Sequence, residues 1–475
     1  MLFRSYMDSA DRRLASAGIA WRLRREGRRW VQALKKGGAN PLERFEHEVI
    51  RPGPTPDASM HAGTAVGDEL LAILEQARAD GNEVGVRFRT EVRRTLRRIR
   101  TRGAIVELAF DEGRIVAGEH TARIRELEFE LVSGDVGAMI GLAARWCGRF
   151  GLAYDPRSKA ERGDALVDGR PLAPVRKARR PAYPVDATPT EALGAVLDEC
   201  LAHIGYNVVG LLEGEADNRI DHVHQARVGI RRLRSGLRCF ADWTPAPSQA
   251  LVDGLRTLFA TLGESRDGDV LETGVAAELL SVGAPRLSTP AAAPGPDPVA
   301  AVRAPQVQRL LLDWIAWRAA LDTLVDAGTE PGGELRDDAE RRLRRWHRRI
   351  AADWKRFDEL DEEALHSLRK RIKRQRYAVE FFAPLLRRRS VDRYLDRLES
   401  IQDRMGRLND LFVARDRYKA LLAEDQGAWF ALGWLAARID AVRDDAKPEL
   451  GRLAKADPPQ AREARRRSHC VMTAG

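Results

Sequence analysis

The sequence is poor in cysteine, poor in aromatics and without a long apolar run, and each scarcity removes a class of function. Its four cysteines, Cys147, Cys200, Cys239 and Cys470, are scattered with no CxxC spacing. That supports neither a disulfide framework nor a zinc site and fits a reducing compartment. No apolar run reaches the roughly 18–20 residues needed to cross a bilayer. The opening MLFRSYMDSADRR holds no apolar segment long enough for secretion. Aromatics make up 6% of the chain and do not interleave with its basic runs, so nucleobases have no stacking platform. No helix-turn-helix, zinc-finger or RNA-binding signature occurs. The expectation is a cytoplasmic protein without a membrane partner, whose contact with nucleic acid is nonspecific.

Charge is what the sequence has in abundance. Among 475 residues, 80 Lys+Arg stand against 70 Asp+Glu, and charged residues reach 32%. The resulting +10 is modest, so the placement of the cations matters more than their sum. Nucleic acid, polyphosphate and anionic lipid are all candidate ligands on charge alone. A hydrophobic content of 44% is enough for packed cores.

Two textures divide the chain. Up to residue 154, β-like runs alternate with turn signals. VRFRTEVRRTLRRIR, GAIVELAF, RIVAGEHTARI and ELEFELVSGD read as successive antiparallel strands, with Asp111-Glu112-Gly113 as a hairpin turn. Upstream, residues 6–35 read as strand, short helix, strand, turn, strand. Period-two alternation sends Glu126, Glu128 and Glu130 to one face and Leu127, Phe129 and Leu131 to the other. Arg22 and Arg24 share a strand face that Lys35 joins from the next strand, and Arg44, Glu46 and Glu48 alternate on a following one. A face carrying bases and acids beside such regular apolar alternation fits a wet, charged interior. Residues 155–189, rich in Pro, Gly and basic residues, read as a linker.

From Thr190 the texture is helical, and a Pro- and Ala-rich break from Ser281 to Pro305 divides it into repeats of about 190–280 and 306–455. HVHQARVGIRRLRSGLRCF from His222 matches ALHSLRKRIKRQRYAVEFF from Ala364, and LGESRDGDVL around Gly263 answers MGRLNDLFVA around Gly406, with Asp267 opposite Asp410. Two matches at nearly one offset indicate an internal duplication. On a helix, His224, Arg227, Arg231, Arg234 and Arg238 form one stripe beside an apolar one of Val223, Ala226, Ile230, Leu233, Leu237 and Phe240. Arg232 adds a further cation. The second copy offers His366, Arg369, Lys370, Lys373, Arg374 and Arg376. Stacked like charges destabilise a helix by about 0.2–0.5 kcal/mol per pair, and a bound polyanion offsets that. Successive guanidiniums lie about 5–6 Å apart, a spacing that can track a phosphate chain, and each donates a planar pair of hydrogen bonds. The two histidines read as helix-end structural groups or as phosphate donors.

The HxxRVxxRRLRxxLR helix, its second copy and the RDxDV and LND elements resemble the CHAD family over about residues 190–455. The resemblance implies an all-α domain of two pseudo-twofold-related four-helix bundles whose basic groove binds inorganic polyphosphate, including that in granules. Glu380 departs from the pattern where the first copy has Arg238, which implies weaker binding by the second half. Residues 456–475 follow as a basic tail.

The first half resembles the CYTH, or triphosphate-tunnel, family in its inorganic-triphosphatase branch. The matching segments are Tyr6–Ser9, Trp21–Arg24, Leu34-Lys35, Arg44–Glu48, Phe88–Arg94, Glu107–Gly113 and Glu126–Leu131. The resemblance implies an antiparallel β tunnel, hence an α+β multidomain chain. Arg22, Arg24, Lys35, Arg44 and Arg94 would grip triphosphate. Candidate ligands for Mg²⁺ or Mn²⁺, in an active tunnel, would come from Glu46, Glu48, Glu107, Asp111, Glu126, Glu128 and Glu130. The family opens on a strand with an ExExK signature, whereas this sequence begins with what looks like the second strand. Either the start is misassigned or a strand has been lost. The expectation is a tunnel open along one side, with impaired hydrolysis.

Overall fold

The alternating stretches of the first half pair into one antiparallel sheet. A computed structural model describes residues 2–38, 42, 44–264, 274–285, 295–323 and 335–462. Its strands are β1 (Leu2–Ser9), β2 (Ile19–Glu26), β3 (Arg29–Gly37), β4 (Arg44–Arg51), β5 (Val84–Thr101), β6 (Ala104–Ala117) and β7 (His120–Gly134). They hydrogen-bond in the order β4-β3-β2-β1-β5-β6-β7, and β4 and β7 are not paired with each other among the described residues. The sheet is therefore open between these edges.

Asp111-Glu112-Gly113, expected as a turn, lies instead within β6, paired on both sides with β5 and β7. A Cβ on Gly113 would stand 2.0 Å from the Glu91 carbonyl oxygen. The glycine is there for close approach of strands, not for a reversal. The reversals fall at Gly103 and Gly118, both with positive φ.

The sheet's outer face is apolar. Helix α1 (Arg13–Ser16) and helix α2 (Ala65–Ala79) cover part of it, over a core of Met7, Leu14, Trp21, Leu23, Leu34 and Leu70. Helix α3 (Val136–Phe150) lies over β6 and β7, where Phe129 meets Trp146 edge-on at 6.1 Å between ring centroids. Val106, Leu108, Met139 and Ile140 then continue without a break into the core of the helical half.

The stretch expected as a linker is partly structured. Residues Lys159–Val167 form helix α4, started by a capping box in which Ser158 and Glu161 satisfy each other's backbone N–H groups. Further on, Tyr183 donates its hydroxyl to the Phe381 carbonyl at 2.7 Å.

The helical half contains α5 (Pro189–Glu213), α6 (Arg219–Phe240), α7 (Gln249–Glu264), α8 (Ala276–Ser281), α9 (Pro298–Arg303), α10 (Pro305–Ala320), α11 (Leu335–Lys355), α12 (Glu362–Phe382), α13 (Arg388–Leu421) and α14 (Ala428–Ala454). Neighbours α5, α6, α7 and α10 form one four-helix bundle, and α11, α12, α13 and α14 another with the same cycle of contacts. Expecting the second unit to begin near residue 306 misplaces α10, which packs on α5, α7 and α3. The Pro-rich break therefore falls, in sequence, between α7 and α10 of the first bundle. Helix α5 is long and apolar enough to cross a membrane on length and composition, but 67% of its most apolar stretch is buried in the bundle. The bundles meet where α6 packs on α12.

A buried histidine, His61, paired with half-buried His47 under the sheet, sets an acid limit on the fold. The Gln32 amide oxygen accepts from the Asp57 N–H at 2.7 Å, and its Nε2 donates to His61 Nε2 at 3.0 Å. His61 Nδ1 therefore carries the proton and donates to His47 Nδ1 at 2.9 Å. Burial, and then the neighbouring His47, pull His61 from its ordinary 6.5 to about 4. The unfolded chain binds this proton more readily, so the stabilisation is complete above about pH 6.5 and is lost as pH falls toward 4, on the order of 3 kcal/mol. Thermal melts of His61→Gln across that window are expected to give a shallower pH dependence than the native chain, the remainder including His203, which is also pulled down to about 4.

Candidate functional site: a charged sheet face and a basic seam

Strand register gathers the expected tunnel residues onto one face. Arg22 stands opposite Tyr6 and Arg24 opposite Arg4, Lys35 opposite Glu46, and Ala33 between Arg22 and Glu48. On the other wing Arg94 faces Asp111, which faces Glu126; Ala109 faces Glu128, and Glu107 faces Glu130. With period two, Arg22, Arg24, Lys35, Arg44, Arg94 and all seven expected carboxylates share that face.

They separate into two clusters. In the first, Lys35 Nζ lies 2.6 Å from Glu46, Arg24 2.9 Å from Glu48, and Arg22 3.5 Å from Glu46. Burial, then the Arg22 guanidinium, brings the Lys35 ammonium down to about 8. In the second, Arg94 grips Asp111 through two bonds of 2.7 Å and reaches Glu128 at 2.5 Å. Of the expected metal ligands, the structure brings Asp111, Glu126 and Glu128 together, with one oxygen from each within 4.8 Å of the others. Glu46 and Glu48 belong to the first cluster, Glu107 pairs with Arg98 at 3.0 Å, and Glu130 is exposed. Arg44 is exposed at the start of β4.

Two cations of this face were not legible as site residues. Arg4 is 2% exposed, its nearest carboxylate is Asp111 at 3.8 Å, and its Nε has no partner among the described residues. Burial, then Arg22, lowers its pKa. Strict alternation along FRSY placed it beside Arg24, which was the available signal. The second is Lys159 of α4, whose ammonium lies 2.8 Å from Asp111 and 2.6 Å from Glu128 and also contacts Glu126. Burial opposes ionisation of Glu128, but Lys159 and then Arg94 outweigh it and hold the carboxyl at about 2. The donor set suits a hard divalent ion by chemistry, yet a cation of the chain itself already satisfies it.

The helical half places its basic ladder at the seam between bundles. Along α6, Arg227 donates to the Phe259 carbonyl at 3.1 Å, with its guanidinium 4.3 Å from that ring's centroid and close against Gly263. Arg231 lies over the same ring at 5.7 Å. Arg231, Arg234 and Arg238 have no carboxylate within 4 Å among the described residues. Burial, then Arg238 and Arg256, lowers the Arg234 pKa. Burial, then Arg374 of the opposite bundle and Arg256, does the same to Arg238. Arg374 rests over Trp346 at 5.7 Å. On α12, Arg369 and Lys373 are half-buried and Lys370 is exposed. His366 Nδ1 meets Asn409 at 3.3 Å, which joins the two motifs of the second copy. His224 is half-buried, and Asp267 lies outside the described residues.

Two expected anion ligands are otherwise engaged. Arg232 is 2% exposed, ion-paired with Glu380, hydrogen-bonded to the Arg179 carbonyl at 2.8 Å and covered by Phe381 at 5.1 Å. One residue on from Arg231, it turns about 100° into the α6–α12 contact. Arg376 is bonded to Glu380 at 3.1 Å. Arg256, which no motif marked, reaches the seam from α7 but is exposed and paired with Asp253 at 2.6 Å.

An open antiparallel sheet with one charged face, joined to paired bundles whose basic helices meet, defines a two-domain architecture. Comparison gives it names: a CYTH domain model matches residues 5–163 and a CHAD domain model residues 195–419. The chain carries a CYTH domain ahead of a CHAD domain. It is 26% identical over 165 residues to an inorganic triphosphatase of Haemophilus influenzae, a match that takes in 34% of this chain and 45% of that protein. The chain thus spans less than half the length of this relative. A solved CHAD domain from the plant Ricinus communis is 30% identical, covering 61% of this chain and 99% of its own, with a TM-score of 0.49.

Proposed function

We propose that this chain binds inorganic polyphosphate along the α6–α12 seam, in the cytoplasm and at polyphosphate granules. One observation carries the reading: Arg234, Arg238 and Arg374 gather at the α6–α12 contact with no carboxylate within 4 Å among the described residues, where burial, then neighbouring guanidiniums, lowers the pKa of Arg234 and Arg238. Like charges held together and half-desolvated are stabilised by a dense anion. The rings beside the row, Phe259 and Trp346, already carry guanidiniums of the row itself, which favours phosphate chains over stacked nucleobases. Long-chain polyphosphate is expected to retain the protein at about 0.15 M ionic strength, where duplex DNA of matched phosphate content does not. Equal retention by both would replace this reading with nonspecific polyanion binding.

A second reading concerns the sheet face, where triphosphate is the ligand class that its CYTH match and the named relative support. Buried Arg4, with an orphaned Nε, is the residue of that face best prepared for an anion. Hydrolysis there would call on Mg²⁺ or Mn²⁺ at Asp111, Glu126 and Glu128, which Lys159 would first have to vacate. Phosphate release from tripolyphosphate with either ion tests it.

A further inference from the structure

We propose that Lys159 takes the place of a divalent cation, so that the acidic site of the sheet is cation-complete without metal and excludes Mg²⁺ and Mn²⁺ while α4 is docked. The inference rests on the geometry of this site alone and not on the polyphosphate reading of the helical domain. The Lys159 ammonium touches all three carboxylates that could share an ion. It is almost wholly buried. An ammonium at hydrogen-bond distance from three oxygens and a divalent ion at ligand distance from the same oxygens exclude one another.

The lysine is held there from three sides. Gly163 lies so close to Phe88 that a Cβ would stand 2.2 Å from the ring. Asp164 and Asp168, at the far end of α4, are gripped by Arg12 and Arg87, with Arg87 2.8 Å from Asp168. Arg162 adds a second cation to Glu126. From the helical domain, the Tyr206 hydroxyl of α5 donates to Glu161 at 2.6 Å. Helix α4 is therefore built into both domains.

Mn²⁺ titration of the full chain, followed by calorimetry and by the loss of free-ion electron paramagnetic resonance signal, tests this. The native protein is expected to take up no Mn²⁺ at this site up to about 1 mM. Lys159→Ala is expected to bind one ion at least roughly tenfold more tightly than that limit, and a Lys159→Ala/Glu128→Gln double variant to lose it. One-to-one Mn²⁺ binding by the native chain that Glu128→Gln alone removes would overturn the proposal, whether or not Lys159→Ala folds. So would a Lys159→Ala variant with native circular dichroism and no gain of Mn²⁺. Retention on polyphosphate, measured in parallel, stays at the native level in every variant, so failure here is distinguishable from failure of the seam reading.

Discussion

Replacing Arg234, Arg238 and Arg374 together by alanine is expected to weaken long-chain polyphosphate binding by roughly two to three orders of magnitude at about 0.15 M ionic strength, since a hydrogen bond to a charged group contributes about 1.5–3 kcal/mol and part of each is recovered by neighbours and water. The slope of log affinity against log salt should become shallower by about 2, at roughly 0.7 per lost cation on a single-stranded polyanion. Stability should move the other way or not at all. These three guanidiniums have no carboxylate within 4 Å among the described residues, so their removal relieves repulsion and breaks no ion pair. A thermal midpoint equal to or above the native value, with affinity lost, separates a binding site from a structural one. Unchanged affinity in a folded triple variant would remove the seam from consideration.

The division between what pattern reveals and what it hides is physical. Period two was enough to put Arg22 with Arg24, Arg44 with Glu46 and Glu48, and Glu126 with Glu128 and Glu130 on common strand faces, because register moves side chains only by whole face flips; that Arg94, Glu107 and Asp111 join them came from the CYTH resemblance. Period 3.6 likewise gave the α6 stripe. Pattern does not say what lies opposite. Arg231 and Arg232 are adjacent and chemically identical, yet one lies over Phe259 and the other is sealed against α12; only the partner helix decides which. The same blindness hid α4. A capping box, Ser-Lys-Ala-Glu, was present in plain sequence, but the surrounding Pro, Gly and basic residues read as a linker, and nothing local announced that Lys159 would reach carboxylates on β6 and β7. The Asp-Glu-Gly misreading has a related cause. Glycine serves turns and close strand approach equally well, and at Gly113 the distinguishing atom is a carbonyl oxygen on another strand.

Removing the carboxylate of Glu380 is expected to cost about 3–5 kcal/mol of stability, the loss typical when one partner of a buried ion pair is deleted. Compared with the first copy alone, Glu380 looks like a lapse in the basic ladder. In the structure it is the counter-ion that lets α6 and α12 touch. Its two oxygens divide between Arg232 and Arg376, and the Arg232 guanidinium is enclosed by Tyr377, Phe381 and the Arg179 carbonyl. Glu380→Ala strands that guanidinium without a counter-charge, and Glu380→Arg, which restores the ladder on paper, places two cations in contact and should be worse. Because the penalty belongs to the uncompensated charge, Arg232→Met combined with Glu380→Leu should recover most of the loss, buried pairs often being replaceable by packed apolar side chains. Urea unfolding of the two single variants and the double variant checks this: the double is expected close to native and far from the sum of its parts. Additive losses would mean that Arg232 and Glu380 stabilise the seam separately. Polyphosphate affinity of the folded double variant should stay native, since neither side chain faces the anion.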